Sequence, residues 1–221
     1  MTRIAIIGAG SWGTALGIVA GRAGANVRLW SRNRDVVEAV NQRRVNSVYL
    51  ASYEIPPGVE ATCEMSRALS EAEIVLLAAP SHVTRELLTR MLPNAREEMV
   101  FVSATKGIEI ESGKRMSEVV RDVLNERFRP RFVALSGPSF AQEVVAGHPT
   151  AIVAASDNPE DAKLVQAGLS FQNLRIYTNT DVVGTEIGGS VKNVMAVAAG
   201  MVAGLGLGAN SIAALITRGL A

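Results

Sequence analysis

Short apolar runs recur along the chain at 4–7, 27–30, 59–62, 74–79, 99–103, 132–135 and 150–155. Between them lie stretches near 11–23, 34–43, 83–92, 113–126 and 159–169 whose apolar positions follow helical spacing. Strands that alternate with amphipathic helices build a parallel sheet wrapped on both faces. The run Ile74-Val75-Leu76-Leu77-Ala78-Ala79 is apolar throughout and stopped by Pro80, which predicts a central strand buried on both sides. Its carboxyl end, and with it Pro80-Ser81-His82, should lie on the ligand-binding rim of the sheet. From about residue 181 the pattern changes to Gly, Ala and Val at helical spacing. The expected architecture is α/β, with residues 1–180 forming a Rossmann-type, doubly wound, mainly parallel dinucleotide-binding domain. Residues 181–221 read as the beginning of an all-helical substrate domain, which is expected to be truncated because the pattern stops at 221 without a cap.

The first apolar run opens into Gly8-Ala9-Gly10-Ser11-Trp12-Gly13, and these glycines have separate physical tasks. Gly8 permits the tight turn, Gly10 removes a side chain where a pyrophosphate must approach the backbone, and Gly13 lets the helix pack against the strand. The helix N-terminus then offers free N–H groups to the anion. Such a fingerprint alone also occurs in ordinary strand–helix turns, but here a helix continues to Ala23-Gly24 and a second strand follows at Asn26 to Trp30, the context a dinucleotide site requires. That strand ends in Trp30-Ser31-Arg32-Asn33, where an NAD-specific site commonly places an acid, and no acid appears before Asp35. Arg32 instead suits a 2′-phosphate, so NADP is the favoured cofactor with NAD tolerated. The plainer alternative makes Arg32 and Arg34 solvated charges at a helix start.

Composition narrows the remaining classes. A hydrophobic fraction of 48% suits a sizeable core, and a net charge of +1 supplies no broad basic field for nucleic acid. The stretch from Arg121 to Arg131 also carries Asp122 and Glu126 and reads as a solvated helix end. Cys63 is the only cysteine, which excludes an internal disulfide or a multi-cysteine metal site and fits a reducing cytoplasm. No secretory signal is expected, since the first residues read as a strand. Residues 194–217 carry no charge, but Gly204, Gly206 and Gly208 and the polar Asn210 and Ser211 interrupt them. A buried helix broken near Gly204–Gly208 is expected there rather than a membrane span. Exposed apolar helix faces in a truncated domain would invite association, with a homodimer as the simplest product.

Only four of the 22 basic residues are lysines, and two stand in unusual places. Lys106 follows a strand in Ser103-Ala104-Thr105-Lys106-Gly107, and Lys192 lies among small residues on a nearly apolar helix in Gly188-Gly189-Ser190-Val191-Lys192-Asn193. Desolvation and a neighbouring cation lower a lysine's pKa, as proton exchange near neutral pH demands. Lys192 is therefore expected to be partly desolvated, the alternative being an amine that snorkels from the helix surface. Ser136-Gly137-Pro138-Ser139 can donate to an anionic or hydroxylated ligand or serve as a plain helix cap. His82 and His148 lack neighbouring acids, so neither a metal nor a histidine relay is expected; a place for His82 at the rim near the cofactor is the lesser reading, and His148, before Pro149, reads as structural.

The segments Gly-Ala-Gly-Ser-Trp-Gly-Thr-Ala-Leu at 8–16, Thr-Lys-Gly at 105–107, Gly-Pro-Ser-Phe-Ala at 137–141, Val-Lys-Asn-Val at 191–194 and Ala-Ala-Leu-Ile-Thr-Arg-Gly at 213–219 occur in one order. Together they resemble the bacterial NAD(P)-dependent sn-glycerol-3-phosphate dehydrogenase family. The resemblance implies hydride transfer between NAD(P)H and dihydroxyacetone phosphate, giving sn-glycerol 3-phosphate for phospholipid synthesis. It also implies that Ser11, Trp12, Arg32, Lys106 and Ala141 contact the cofactor, that Lys106, Gly137 and Ser139 contact the substrate, and that Lys192 transfers the proton. The family's pattern continues beyond these residues into a segment that helps hold the substrate phosphate. It departs from this sequence at Ala209, commonly polar or charged in the family, and at Ile212, often basic. Two other readings stand beside this one: a β-hydroxyacid or ketopantoate-type reductase, and a non-catalytic NADP-binding module.

Overall fold

The computed structural model describes residues 1–220. In chain order the elements are β1 (Arg3–Ile7), α1 (Ser11–Arg22), β2 (Asn26–Trp30), α2 (Arg34–Arg43), β3 (Val45–Asn46), β4 (Leu50–Glu54), β5 (Val59–Thr62), α3 (Met65–Leu69) and β6 (Ile74–Leu77). There follow α4 (Ser81–Met91), β7 (Val100–Ser103), α5 (Met116–Leu124), β8 (Arg131–Ser136), α6 (Ala141–Ala146), β9 (Thr150–Ala155), α7 (Pro159–Leu169), β10 (Leu174–Asn179), α8 (Val182–Gly204) and α9 (Gly208–Leu220). The main sheet has the strand order β10-β9-β8-β7-β6-β1-β2-β5. Pairing is parallel from β5 through β8, turns antiparallel between β8 and β9, and is parallel again between β9 and β10.

Successive residues of the central strands feed two separate cores, as the pleat requires. Ile4, Ile6, Ile74, Leu76, Val100 and Val102 pack on one face against α1, α2, α6 and α7. Ala5, Ile7, Val75, Leu77 and Phe101 pack on the other against α3, α4 and α5. This two-sided burial explains the unbroken apolar runs. The chain leaves β1 toward β2 and β5, then returns to the other side of β1 at β6. The loops after β1 and β6 consequently part at a topological switch point, where open α/β sheets bind ligands.

Three features depart from the sequence reading. A small hairpin, β3–β4, packs beside the glycine turn, and its polar Leu50-Ala51-Ser52-Tyr53-Glu54 strand lacks the apolar run that would mark it. The sheet gains an unanticipated edge strand, β10, whose buried Leu174 and Ile176 alternate with exposed Arg175 and Tyr177. Finally, the helical region breaks after Gly204 as expected, but α8, 23 residues long and apolar enough to cross a membrane, is not the buried helix that was expected. Among its residues only Val182 is buried. Isolated glycines cost a helix about 1 kcal/mol each without breaking it. The interruption comes at residues 205–207, where Gly206 takes φ of 66°, followed by Gly208 at the start of α9 with φ of 77°. A single such helix is weak evidence for a span, and this one carries Glu186 and Lys192 and is moored at its start to β8 and α5.

Candidate active site

The glycine turn has little freedom to vary. Gly8 adopts φ 120°, and a Cβ there would lie 2.8 Å from the Ala78 carbonyl oxygen, on the loop after β6. A Cβ on Gly13 would fall far inside contact distance of the Gly8 carbonyl oxygen and 3.1 Å from the Ala78 Cβ. Gly10 is the opposite case: a Cβ would meet nothing within 4 Å. It is the N-cap of α1 and has no side chain to bond the helix's first N–H groups, which are left for an incoming anion. The cradle therefore fits a dinucleotide pyrophosphate on geometric grounds, as two glycines are demanded by packing and one leaves space.

The cradle is braced by residues that the sequence reading did not single out. Asn46 of β3 is fully buried and donates its amide to the Ala9 carbonyl at 2.9 Å and to the Thr14 hydroxyl at 2.8 Å. Ser11 donates to the Tyr49 carbonyl at 3.1 Å, so the hairpin is tied to both sides of the turn. A buried Asn carries no periodic signal, and only its contacts show its role. At the end of β2, Arg32 is exposed, and Asn33 caps α2 by accepting from the Asp35 N–H.

Lys106 lies on the loop after β7, half-buried, and donates to the Gly137 carbonyl at 3.0 Å and to the Ser139 hydroxyl at 3.1 Å. Its ammonium sits 5.8 Å from the centroid of the Trp12 ring. The indole Nε1 of Trp12 is buried without a hydrogen-bond partner among the described residues. The glycine turn and the Gly137-Pro138-Ser139 turn, far apart in sequence, thus meet at the carboxyl edge of the sheet through Lys106. Gly137 takes φ 145°, and a Cβ there would lie 2.9 Å from the Ile152 Cα, so both conformation and space call for glycine. Ala141 opens α6 immediately beyond this turn.

The Lys106 loop is itself anchored. Arg85 of α4 grips Glu109 with two bonds of 2.9 and 2.8 Å and reaches Asp122 of α5 at 3.0 Å, where Lys114 also binds at 2.6 Å. The Arg85 hydrogen bond holds the Glu109 carboxyl below its ordinary range, and Lys114 first, then Arg85, do the same for Asp122. These groups form a charge clamp around residues 107–115.

α8 runs along β8 toward the same edge. A Cβ on Gly189 would come 2.5 Å from the Ser136 hydroxyl, so helix and strand end meet there without room for a side chain. Lys192 follows and donates to its neighbour Asn193 at 2.9 Å. It is exposed, which corrects the expectation of partial desolvation: α9 packs along the distal part of α8, with Met195 against Gly219, and leaves the Lys192 side chain in solvent. The desolvated amine is Lys106, whose pKa is lowered by burial first and by the nearby Lys192 charge second. Two ammonium groups near one another at a sheet edge attract a dianionic ligand and favour proton release from one of them. His82 and His148 are both exposed, and no group of three or more His, Cys, Asp or Glu side chains suited to a metal occurs among the described residues.

Residues 3–162 match the family model for the NAD-dependent glycerol-3-phosphate dehydrogenase N-terminus, and residues 181–221 match that for its C-terminus. The chain is 54% identical over 222 residues to a glycerol-3-phosphate dehydrogenase [NAD(P)+] of Koribacter versatilis and 47% identical to one of Geobacter sulfurreducens. It spans 66% and 65% of those proteins, with 100% and 99% of its own length matched. The crystal structure of a Coxiella burnetii glycerol-3-phosphate dehydrogenase superposes with a TM-score of 0.89 at 42% identity, covering 99% of this chain and 66% of that one. A ketopantoate reductase from Ralstonia eutropha, at a TM-score of 0.60 and 20% identity, shares the fold alone. The chain belongs to the NAD-dependent glycerol-3-phosphate dehydrogenase family.

Proposed function

We propose that the full-length protein interconverts dihydroxyacetone phosphate and sn-glycerol 3-phosphate with NADP or NAD as hydride carrier, supplying glycerol 3-phosphate for phospholipid synthesis in the cytoplasm. In this reading residues 1–180 bind the dinucleotide and residues 181–221 begin the substrate domain. The observation that carries it is the meeting of Trp12, Lys106, Gly137 and Ser139 at one point of the sheet edge, within reach of the Lys192 charge.

Gly8, Gly10, Ser11 and Gly13 form the phosphate cradle, Trp12 and Ala141 flank it, and Arg32 faces the adenosine end as partner for a 2′-phosphate. When bound, the reduced nicotinamide supplies a hydride to the substrate carbonyl carbon. Lys192 donates its Nζ proton to the carbonyl oxygen, where alkoxide charge develops, and takes it back in the reverse direction. Lys106, oriented by Gly137 and Ser139, holds the substrate and adds positive charge at the same edge. Its lowered pKa matches burial beside a second cation.

The test measures NADPH oxidation with dihydroxyacetone phosphate by the full-length protein and its Lys192→Ala form. Loss of a positioned proton donor lowers kcat about 10²- to 10⁴-fold, with the NADPH Kd unchanged. Undiminished turnover would remove Lys192 from the mechanism. The chain's coverage of about two thirds of its relatives favours a second reading for this segment by itself, a module that binds NADP without turnover. Calorimetric binding of NADPH by the 221-residue chain, with no oxidation in the presence of substrate, is the result that reading expects.

A further inference from the structure

α8 brings one acid into the body of the protein. The side chain of Glu186, in the second turn, is only 7% exposed, and its carboxylate collects three donors from the start of α5. These are Arg115 Nη1 at 2.9 Å, the Ser117 backbone N–H at 2.7 Å and the Ser117 hydroxyl at 2.6 Å. Ser117 is fully buried, and the Arg115 N–H is taken by Glu118 at 2.9 Å, so the α5 N-terminus closes around Glu186. A carboxylate in this place satisfies an otherwise free helix N–H and complements the positive end of the helix. A buried charge also resists displacement, because separating it from its partners leaves an uncompensated ion.

Just beyond the clasp, Ser103, Thr105, Lys106, Ser136, Glu186 and Gly189 line a small cleft between α8 and the ends of β7 and β8. The buried Ser103 hydroxyl has no protein partner there among the described residues, so a polar group is left open in a cleft that Ala134 and Leu135 also line. Past Gly189 the helix lies exposed or half-exposed, and Lys192 stands on that free portion. Val182 seats the start of α8 in the core; beyond it the helix is held to the sheet edge by Glu186 on α5 and by the close approach of Gly189 to Ser136, while the like charges of Lys106 and Lys192 oppose one another.

We infer that Glu186 is a positioning residue: by clasping α8 to the N-terminus of α5 it holds the Lys192 ammonium close to that of Lys106. Its consequence for catalysis rests on the dehydrogenase reading above, but its geometric consequence does not. Without the clasp the first turns of α8 lose the one buried ionic anchor they have among the described residues, and repulsion moves Lys192 outward. Lys106 then loses the influence of that charge, together with some of the cover the helix provides. Ser103, Thr105, Ser136, Thr185 and Glu186 are the other polar groups lining the cleft beside Lys106, and none of them is a second cation.

The decisive measurement is an NMR titration of ¹³C-dimethylated lysines in the 221-residue chain, with the Lys106 signal assigned by its loss in Lys106→Arg. In Glu186→Gln the Lys106 titration moves upward toward that of an ordinary lysine, and in Ser117→Ala it moves the same way by less. In the full-length protein the Glu186→Gln variant loses about ten- to a hundredfold in kcat while its KM for NADPH holds, the scale of misplacing a reacting group by about 1 Å. A folded Glu186→Gln chain whose Lys106 titrates as in the unmodified sequence overturns the inference. If that variant does not fold, Ser117→Ala, which keeps the carboxylate and its Arg115 partner, decides by the same criterion. A Lys106 shift without any turnover of dihydroxyacetone phosphate, in the unaltered full-length protein as well, upholds the clasp and refutes the dehydrogenase reading instead.

Discussion

Gly10 and Gly13 lie three residues apart in the same turn, and replacing each with alanine should have opposite consequences. At Gly13 the added methyl meets backbone, the Gly8 carbonyl oxygen, at a separation real Cβ atoms do not show, with the Ala78 Cβ 3.1 Å away on the other side. Neither neighbour is the free end of a flexible side chain, so α1 must move off the sheet. Overpacking of this kind costs about 1–3 kcal/mol, offset by about 1 kcal/mol from alanine's better helix propensity. A net loss at the upper part of that range, about 2 kcal/mol, is expected because the obstruction is backbone. At Gly10 the φ of −71° suits alanine and no atom lies within 4 Å of the new Cβ. The gain from a stiffer unfolded chain, about 0.4–1 kcal/mol, roughly cancels the poorer N-cap, so stability should stay within about 0.5 kcal/mol. The methyl instead occupies the space where the pyrophosphate approaches the helix N–H groups. Losing one charge-assisted hydrogen bond, about 1.5–3 kcal/mol, weakens NADPH about tenfold to a hundredfold. Urea unfolding and calorimetric titration of the two variants separate these effects. A Gly10→Ala chain that binds NADPH as tightly as the parent, or a Gly13→Ala chain equally stable, would refute this account of the turn.

Three further outcomes follow from the same geometry. Arg32→Ala should weaken NADPH by about tenfold or more and leave NADH nearly unchanged, as read by titration with each cofactor; equal losses would deny Arg32 any contact with a 2′-phosphate. Asn46→Ala removes a fully buried amide and leaves the Ala9 carbonyl with only the long 3.4 Å bond from the Thr14 hydroxyl, so it should destabilise the chain by about 1–3 kcal/mol in denaturant unfolding, and a neutral result would show that the hairpin does not brace the cradle. The Glu109 and Asp122 carboxyls are held below their ordinary ranges by Arg85 and Lys114, so their ionised forms favour folding. That stability is present above the unfolded carboxyl pKa of about 4 and is lost as pH falls through the lower folded values. Comparing urea midpoints at pH 7 and pH 3, the drop should be smaller in Arg85→Met than in the parent.

Much of the fold is legible in the residues alone because it rests on local rules. Runs buried on both faces announce β1, β6 and β7, and the Gly8-to-Gly13 spacing marks a turn that steric exclusion leaves little room to change. Lys106 and Lys192 stand out because a lysine among small or apolar residues is costly unless it has a task. The β3–β4 hairpin escapes such reading, since its strands are short and polar and its hold on the cradle comes from Asn46, a residue without periodic signature. The reversal at β9 is equally hidden, because strand direction depends on where the intervening segment packs. Tertiary structure also decided which amine is desolvated: burial is a property of neighbours, and Lys106 has them on several sides where the exposed Lys192 does not. What the sequence determined was thus the chemistry available and the order of the elements. Which groups meet, and at what charge, came only from the folded chain, because desolvation and like-charge repulsion act through space between residues far apart in sequence.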